Sequence, residues 1–294
     1  MFRGTFTAVV TPFGNGDIDF AAFEKLVEAQ IAAGITGVIA VGTTGESPTL
    51  THEEKEEVIQ RTVKLANGRC KVLAGTGTNS TRDAIEATKF AEKAGVDGAL
   101  LVAPYYNKPS QEGLFRHFKA IADATSLPVM LYNIPGRCSV DIAADTVVRL
   151  AETCRNIVSI KEASGSVERV GELRRRLPNE FTIMSGDDSL TLPFMAVGAA
   201  GVVSVASNLF PAEVSALVRA CDSGDYKSAE SLHRKLFPLF KDLFIEPNPV
   251  PAKTALAWRG AMSAEVRLPL CEMSEANQTR LRKTLEAFEG EASA

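Results

Sequence analysis

The sequence predicts an α/β fold: a (β/α)8 TIM barrel carrying a three-helix appendage at its C-terminal end. Three observations carry the prediction. Short β-rich apolar runs alternate with helix-period stretches about eight times. The alternation fills roughly 225 residues, a length that suits one such barrel. Beyond it the strands stop and only helical patterns follow.

The first run is Thr5–Val10. "FAAFEKLVEAQIAAG" follows, with Phe20, Phe23, Val27 and Ile31 along one helical face. Gly37–Val41 leads to "HEEKEEVIQRTVKLANG", and Lys71–Ala74 leads to "TRDAIEATKFAEKAG". Gly34, Gly68 and Gly95 close these three helices where a C-cap glycine belongs. Gly98–Val102, Pro128–Tyr132, Ile157–Lys161, Phe181–Ser185 and Gly201–Val205 supply the remaining strands. Strands separated by helices pair in parallel, because each crossover returns the chain to the same end of the sheet. Eight units fit a closed barrel better than an open doubly wound sheet, although periodicity does not report closure. "YKSAESLHRKLFPLFKDLF", "PAKTALAWRGA" and "SEANQTRLRKTLEAFEGEA" read as three helices with no strand between them. The expected division is a barrel over 1–225 and a helical domain over 226–294, with the last few residues frayed.

Of the 294 residues, 45% are hydrophobic and 23% charged, the balance of a globular chain with a large core. A net charge of −4 and the lack of any basic stripe argue against nucleic acid and anionic membranes as partners. No apolar run reaches the roughly 20 residues of a membrane span, and "MFRGTFTAVVTPF" does not resemble a signal peptide. Five scattered cysteines without a CxxC pair point to free thiols and a cytoplasmic location. The three histidines lie far apart, so neither zinc nor another metal is expected.

In a parallel barrel, function gathers on the loops that follow the strands. Those ends read "VGTTGES", "VAPYYNKPS", "LYNIPGRCS", "IKEASGS" and "MSGDDS". Three of the four tyrosines (105, 106 and 132) fall on them, as does Lys161. Each piece also has a bland reading. Lys161 could be a surface lysine, Tyr106 and Tyr132 rim packing, Arg137 a solvated loop residue and "GTTGES" a tight turn. "GTTGES" lacks the lysine of a phosphate loop, yet its amides could hold a carboxylate or phosphate. "GTGTNS" falls short of a dinucleotide fingerprint. Glu162 would point away from Lys161 if the strand persists.

Lysine at a buried strand end has a specific use. A free amine is neutral in roughly one molecule per few thousand at pH 7. Burial disfavours the ammonium and raises that fraction. A neutral amine attacks a ketone to give an iminium ion, an electron sink that acidifies the neighbouring carbon. The step needs proton relays, and Thr43, Thr44, Tyr106 and Tyr132 offer hydroxyls at the same rim. No metal and no dissociable cofactor are required.

"GTTGESPTL", "PYYNKPSQEG", "YNIPGR" and "IKEASG", with "EPNPVPAK" and "RLPL" further on, resemble the dihydrodipicolinate synthase branch of the pyruvate-dependent aldolase superfamily, to which N-acetylneuraminate lyase also belongs. The resemblance runs from about residue 4 to about residue 270. It implies a barrel with a C-terminal helical domain, usually a homotetramer built as a dimer of dimers. It implies a Schiff base between Lys161 and pyruvate, with Tyr132 shuttling protons and Thr43 linking Tyr132 to a Tyr106 contributed across a dimer interface. Thr43 and Thr44 amides would hold the pyruvate carboxylate, and Arg137 the carboxylate of aspartate 4-semialdehyde. Gly186 and Val203 would line the site with carbonyl groups.

Feedback-inhibited relatives hold lysine at the dimer interface, and Ser47, His52, Asn79 and Tyr105 fit that pattern. Pro48, Lys55 and Asp83 depart from it. Lys55 adds a charge that repels a lysine cation, so weak or absent inhibition is expected. Three other readings compete: a sugar-acid or other 2-keto acid lyase on the same scaffold, a silent relative acting as a sensor, and a phosphate-handling barrel. The motif and Arg137 disfavour the first, the intact lysine and hydroxyls the second, and the two acids of "SGDD" the third.

Overall fold

The computed structural model describes residues 2–292. Eight parallel strands close into a barrel: β1 (Gly4–Ala8), β2 (Gly37–Ala40), β3 (Lys71–Gly75), β4 (Gly98–Val102), β5 (Val129–Asn133), β6 (Ile157–Glu162), β7 (Thr182–Ser185) and β8 (Gly201–Ser204). Neighbours in sequence are neighbours in space, and β1 closes the ring by pairing with both β2 and β8. Outer helices follow the strands: α1 (Phe20–Ala32), α2 (His52–Ala66), α3 (Thr81–Ala94), α4 (Gln111–Asp123), α5 (Ala144–Thr153), α6 (Val167–Arg176), α7 (Thr191–Ala196) and α8 (Pro211–Asp222). The appendage comprises α9 (Tyr226–Asp242), α10 (Val250–Trp258) and α11 (Glu275–Ala292). The division expected at 225/226 falls in the short turn before α9. The fraying expected at the end concerns Ser293 and Ala294, which lie outside the described residues.

The local signals behave as their chemistry requires. Thr51 and Glu54 form a reciprocal capping box on α2. Gly34, Gly68 and Gly95 all take the left-handed backbone at helix ends that a Cβ would strain. Strand ends differ from expectation by a residue or two. Ladder pairing of β1 stops at Ala8, and β5 begins after Pro128, whose carbonyl accepts from Ala99. A two-residue hairpin arm pair, Phe13–Gly14 with Asp17–Ile18, was not foreseen.

Two apolar regions result. The larger lies between strands and helices and runs on without a break into the appendage through Leu236, Leu256 and Leu281. The smaller fills the barrel axis with Phe6, Ile39, Leu73, Leu100, Met130, Val158, Met184 and Val203. A register shift decides what joins it. Val129 pairs with Ile157 but Met130 pairs with Ser159, so Val158 is an extra residue in β6. Beyond this bulge the side chains of β6 change phase. Lys161 comes opposite Tyr132 and Met184, both of the axial cluster, while Glu162 faces the helices. There Glu162 accepts from Arg169 at 2.7 Å, with Asn133 and the Ser164 amide adding further bonds.

Candidate active site

A cavity of about 230 Å³ opens at the carboxyl ends of the strands, lined among others by Thr43, Ser47, Tyr105, Tyr132, Arg137 and Cys138. Lys161 projects up the barrel axis and is 5% exposed. Its Nζ lies 4.2 Å from the centroid of the Tyr132 ring. Burial pulls its pKa from 10.5 to about 7, with Asp188 opposing and Arg137 reinforcing the drop. Close to half the amine is then neutral near pH 7, against roughly one in a few thousand for a free lysine. Burial pushes the Tyr132 phenol up, while the Arg137 charge and a hydrogen bond with Thr43 act the other way. Tyr132 is therefore a protonated hydroxyl, able to give and take protons without standing as an anion. The neighbouring Cys138 thiol is pushed up to about 11 by burial and stays protonated, leaving Lys161 the better nucleophile.

The turn after β2 forms the second wall. Gly45, Glu46 and Ser47 donate to the carbonyls of Gly42 and Thr43, and the Thr43 and Thr44 amides take no part in these bonds. Successive amides of that kind make an anion nest. Thr44 is buried, and its hydroxyl accepts from Asn248 Nδ2 at 3.0 Å. Arg137 sits on the single helical turn Pro135–Cys138, exposed, with Nη2 3.4 Å from the Asn248 carbonyl. The segment before α10 thus reaches over the rim and touches both residues. Gly186 has no room for a side chain: a Cβ there would lie 2.7 Å from Ala163 Cβ and 3.1 Å from Lys161 Cε. Val203 packs in the axial cluster below.

Tyr106 stands apart. It is 89% exposed with φ of 72°, a left-handed backbone uncommon for tyrosine. Within one chain it is not among the residues that line the cavity holding Tyr132. Of the four expected regulatory residues, Ser47 and Tyr105 border this cavity, and Asn79 Nδ2 donates to the Tyr105 carbonyl at 3.2 Å. His52 faces a different cavity of about 210 Å³ between α2 and α3, together with Lys55 and Asp83. Burial lowers the Lys55 pKa. Among the described residues, no cluster of three or more metal-ligating side chains occurs, and no helix is long and apolar enough to cross a membrane. All five cysteines are free thiols.

Two residues at the site were not singled out from sequence. Asp188 is fully buried, bonded to the Ser204 hydroxyl and to the amides of Val205 and Ala206. Its charge is the main influence opposing the loss of a proton from Lys161. Two acids at a rim that also holds a lysine were the available signal. Asn248 had only its place in "EPNPVPAK" to mark it.

A closed parallel barrel with a buried amine and a phenol at the carboxyl ends of its strands defines a barrel enzyme. Residues 1–288 match the Dihydrodipicolinate synthetase family, and the chain belongs to that family. It is 50% identical over 288 residues to the 4-hydroxy-tetrahydrodipicolinate synthase of Endomicrobium trichonymphae, covering 98% of this chain and 99% of the relative. The solved 4-hydroxy-tetrahydrodipicolinate synthase of the methanotroph Methylacidiphilum fumariolicum SolV is 58% identical and superposes with a TM-score of 0.99, covering 100% of this chain and 98% of that one. A chloride-inhibited dihydrodipicolinate synthase of Acinetobacter baumannii, solved with pyruvate, is 44% identical with a TM-score of 0.96 over 98% and 99% of the two chains.

Proposed function

We propose that this chain is a lyase that condenses pyruvate with aspartate 4-semialdehyde to give 4-hydroxy-tetrahydrodipicolinate, on the route to diaminopimelate and lysine. The names of its relatives, at about half identity over the whole length, support the activity. The observation that carries the mechanism is the buried Lys161 amine packed against Tyr132 on the adjoining strand.

Neutral Nζ attacks the ketone carbon of pyruvate, whose carboxylate rests on the Thr43 and Thr44 amides. The carbinolamine loses water, with Tyr132 delivering a proton to the departing hydroxyl. The iminium ion acidifies the methyl carbon, which gives up a proton to the Tyr132 relay; the resulting enamine attacks the aldehyde carbon of the second substrate, whose oxygen takes a proton back from the same relay. Arg137, a cation at the mouth, holds the carboxylate of that substrate. Gly186 keeps space around Lys161 Cε, and in this reading it and Val203 line the site with carbonyl groups. The amino group of the condensed product then closes on the iminium carbon, releasing Lys161.

Tyr106 completes the relay through Thr43 from a second copy of the chain, which accounts for an exposed tyrosine on a strained backbone. A homotetramer arranged as a dimer of dimers, in the cytoplasm, fits this reading. Lysine inhibits weakly or not at all, because Pro48, Lys55 and Asp83 depart from the pattern of the feedback-inhibited relatives, and within one chain His52 borders a different cavity from Ser47 and Tyr105. Strong inhibition by micromolar lysine in initial-rate assays would refute that part. The activity is tested with a panel of aldehydes supplied with pyruvate. Turnover should be confined to aspartate semialdehyde and close analogues bearing the carboxylate, and preferential cleavage of a sugar acid would overturn the assignment.

A further inference from the structure

The turn that carries Thr43 and Thr44 is strained at both ends. Val41, a β-branched residue, has φ of 58°, and Glu46 has φ of 54°. Neither is glycine, and such a backbone persists only where its surroundings over-determine it. Those surroundings come from a distant part of the chain. Glu46 is 2% exposed, and its Oε1 accepts from Lys253 Nζ at 2.7 Å. Lys253, on α10, is fully buried; its Nζ also donates to the Thr11 carbonyl at 2.9 Å and lies 4.2 Å from the Phe13 ring centroid. The second carboxylate oxygen of Glu46 accepts from the Arg267 amide at 3.1 Å. Thr11 in turn donates its hydroxyl to the Gly45 carbonyl at 2.8 Å.

Neither Glu46 nor Lys253 borders the cavity. A tie meant only for stability would not need charge here, since a buried ion pair is commonly no more stable than apolar residues of like volume. What the pair adds is direction. A carboxylate bonded on both oxygens admits one orientation of residue 46, and that fixes which way the amides two and three residues earlier point.

We infer that the buried Glu46–Lys253 pair, whose lysine comes from the appendage, is a positioning device that holds the Thr43–Thr44 amides in the geometry that binds the carboxylate of the 2-keto acid. The appendage thereby takes part in recognition of the first substrate without touching it. This rests on the proposed reaction, so the wild-type protein is first trapped with borohydride and pyruvate; absence of an adduct there would count against the reaction and not against the pair.

The test compares the full-length wild type with Lys253→Met and with the double variant Glu46→Gln/Lys253→Met, in thermal unfolding and in initial rates with each substrate varied separately. Leaving one buried charge unpaired should unfold the single variant more readily than the double one. The double variant should keep its fold and show a KM for pyruvate raised about tenfold or more, since small misplacements of binding groups are costly. Its KM for aspartate semialdehyde should stay within about twofold of wild type, because Arg137 belongs to another loop. A folded double variant with unchanged KM for pyruvate would reduce the pair to a structural tie and overturn the inference. Should these variants be insoluble, Lys253→Arg, which keeps the charge but moves its donors relative to Glu46, carries the same test. A rise in KM for pyruvate of about threefold supports the inference, and no change refutes it.

Discussion

Replacing Lys161 with methionine should make the protein more stable at neutral pH while abolishing activity. Methionine matches the length and flexibility of the lysine stem and places no charge on the barrel axis. In the unfolded chain the amine has its ordinary pKa, whereas in the fold burial pulls it from 10.5 to about 7. The folded state therefore binds fewer protons than the unfolded state between about pH 7 and pH 10.5, and stability rises with pH through that window. At pH 7 the depressed pKa costs the fold about 4 kcal/mol, which for a chain of this size is about 6 °C in Tm. Near pH 10 the folded amine is neutral and the unfolded one only about three-quarters protonated, so the cost falls to about 1 kcal/mol and the difference should shrink to about 1 °C. The assay is thermal unfolding of both proteins at equal concentration at pH 7 and pH 10, read by calorimetry. A variant less stable than wild type at pH 7, or a gap that ignores pH, would show that Lys161 is not a desolvated, reluctant cation.

Tyr132→Phe keeps the ring against Lys161 and removes only the hydroxyl. The condensation rate should fall by about 10²–10⁴-fold with the Tm nearly unchanged, as initial rates and calorimetry on one preparation would reveal. Arg137→Ala should raise the KM for aspartate semialdehyde by tenfold or more, about the value of one charge-assisted bond, and leave pyruvate trapping intact. Gly186→Ala sets a methyl group 2.7 Å from Ala163 Cβ and 3.1 Å from Lys161 Cε, so the lysine stem must shift and reduced-adduct yield with pyruvate should drop sharply while the barrel still folds.

The eight strands and the six helices read from the sequence were legible because their signals are local. Alternation, apolar periodicity and the glycines at 34, 68 and 95 each act within a few residues. The site was legible in outline for a related reason, since a barrel directs every strand end to one rim. What escaped depends on contacts distant in sequence. Closure is a pairing of β1 with β8, some two hundred residues away. The phase of Lys161 hinges on one extra residue, Val158, and without that bulge the same strand would turn the amine toward the helices. Asp188 influences Lys161 across the barrel mouth, and Lys253 joins Glu46 from the appendage. No window of a few residues contains either relation. Tyr106 marks a further limit, because the role proposed for it would belong to an assembly of chains and not to one of them.

The most direct test of the central claim is the pH dependence of borohydride trapping with pyruvate, followed by peptide mapping of the reduced product. A single adduct on Lys161, formed with an apparent pKa near 7, is the predicted result. An adduct on another residue, no adduct, or an apparent pKa near that of a free lysine would contradict it.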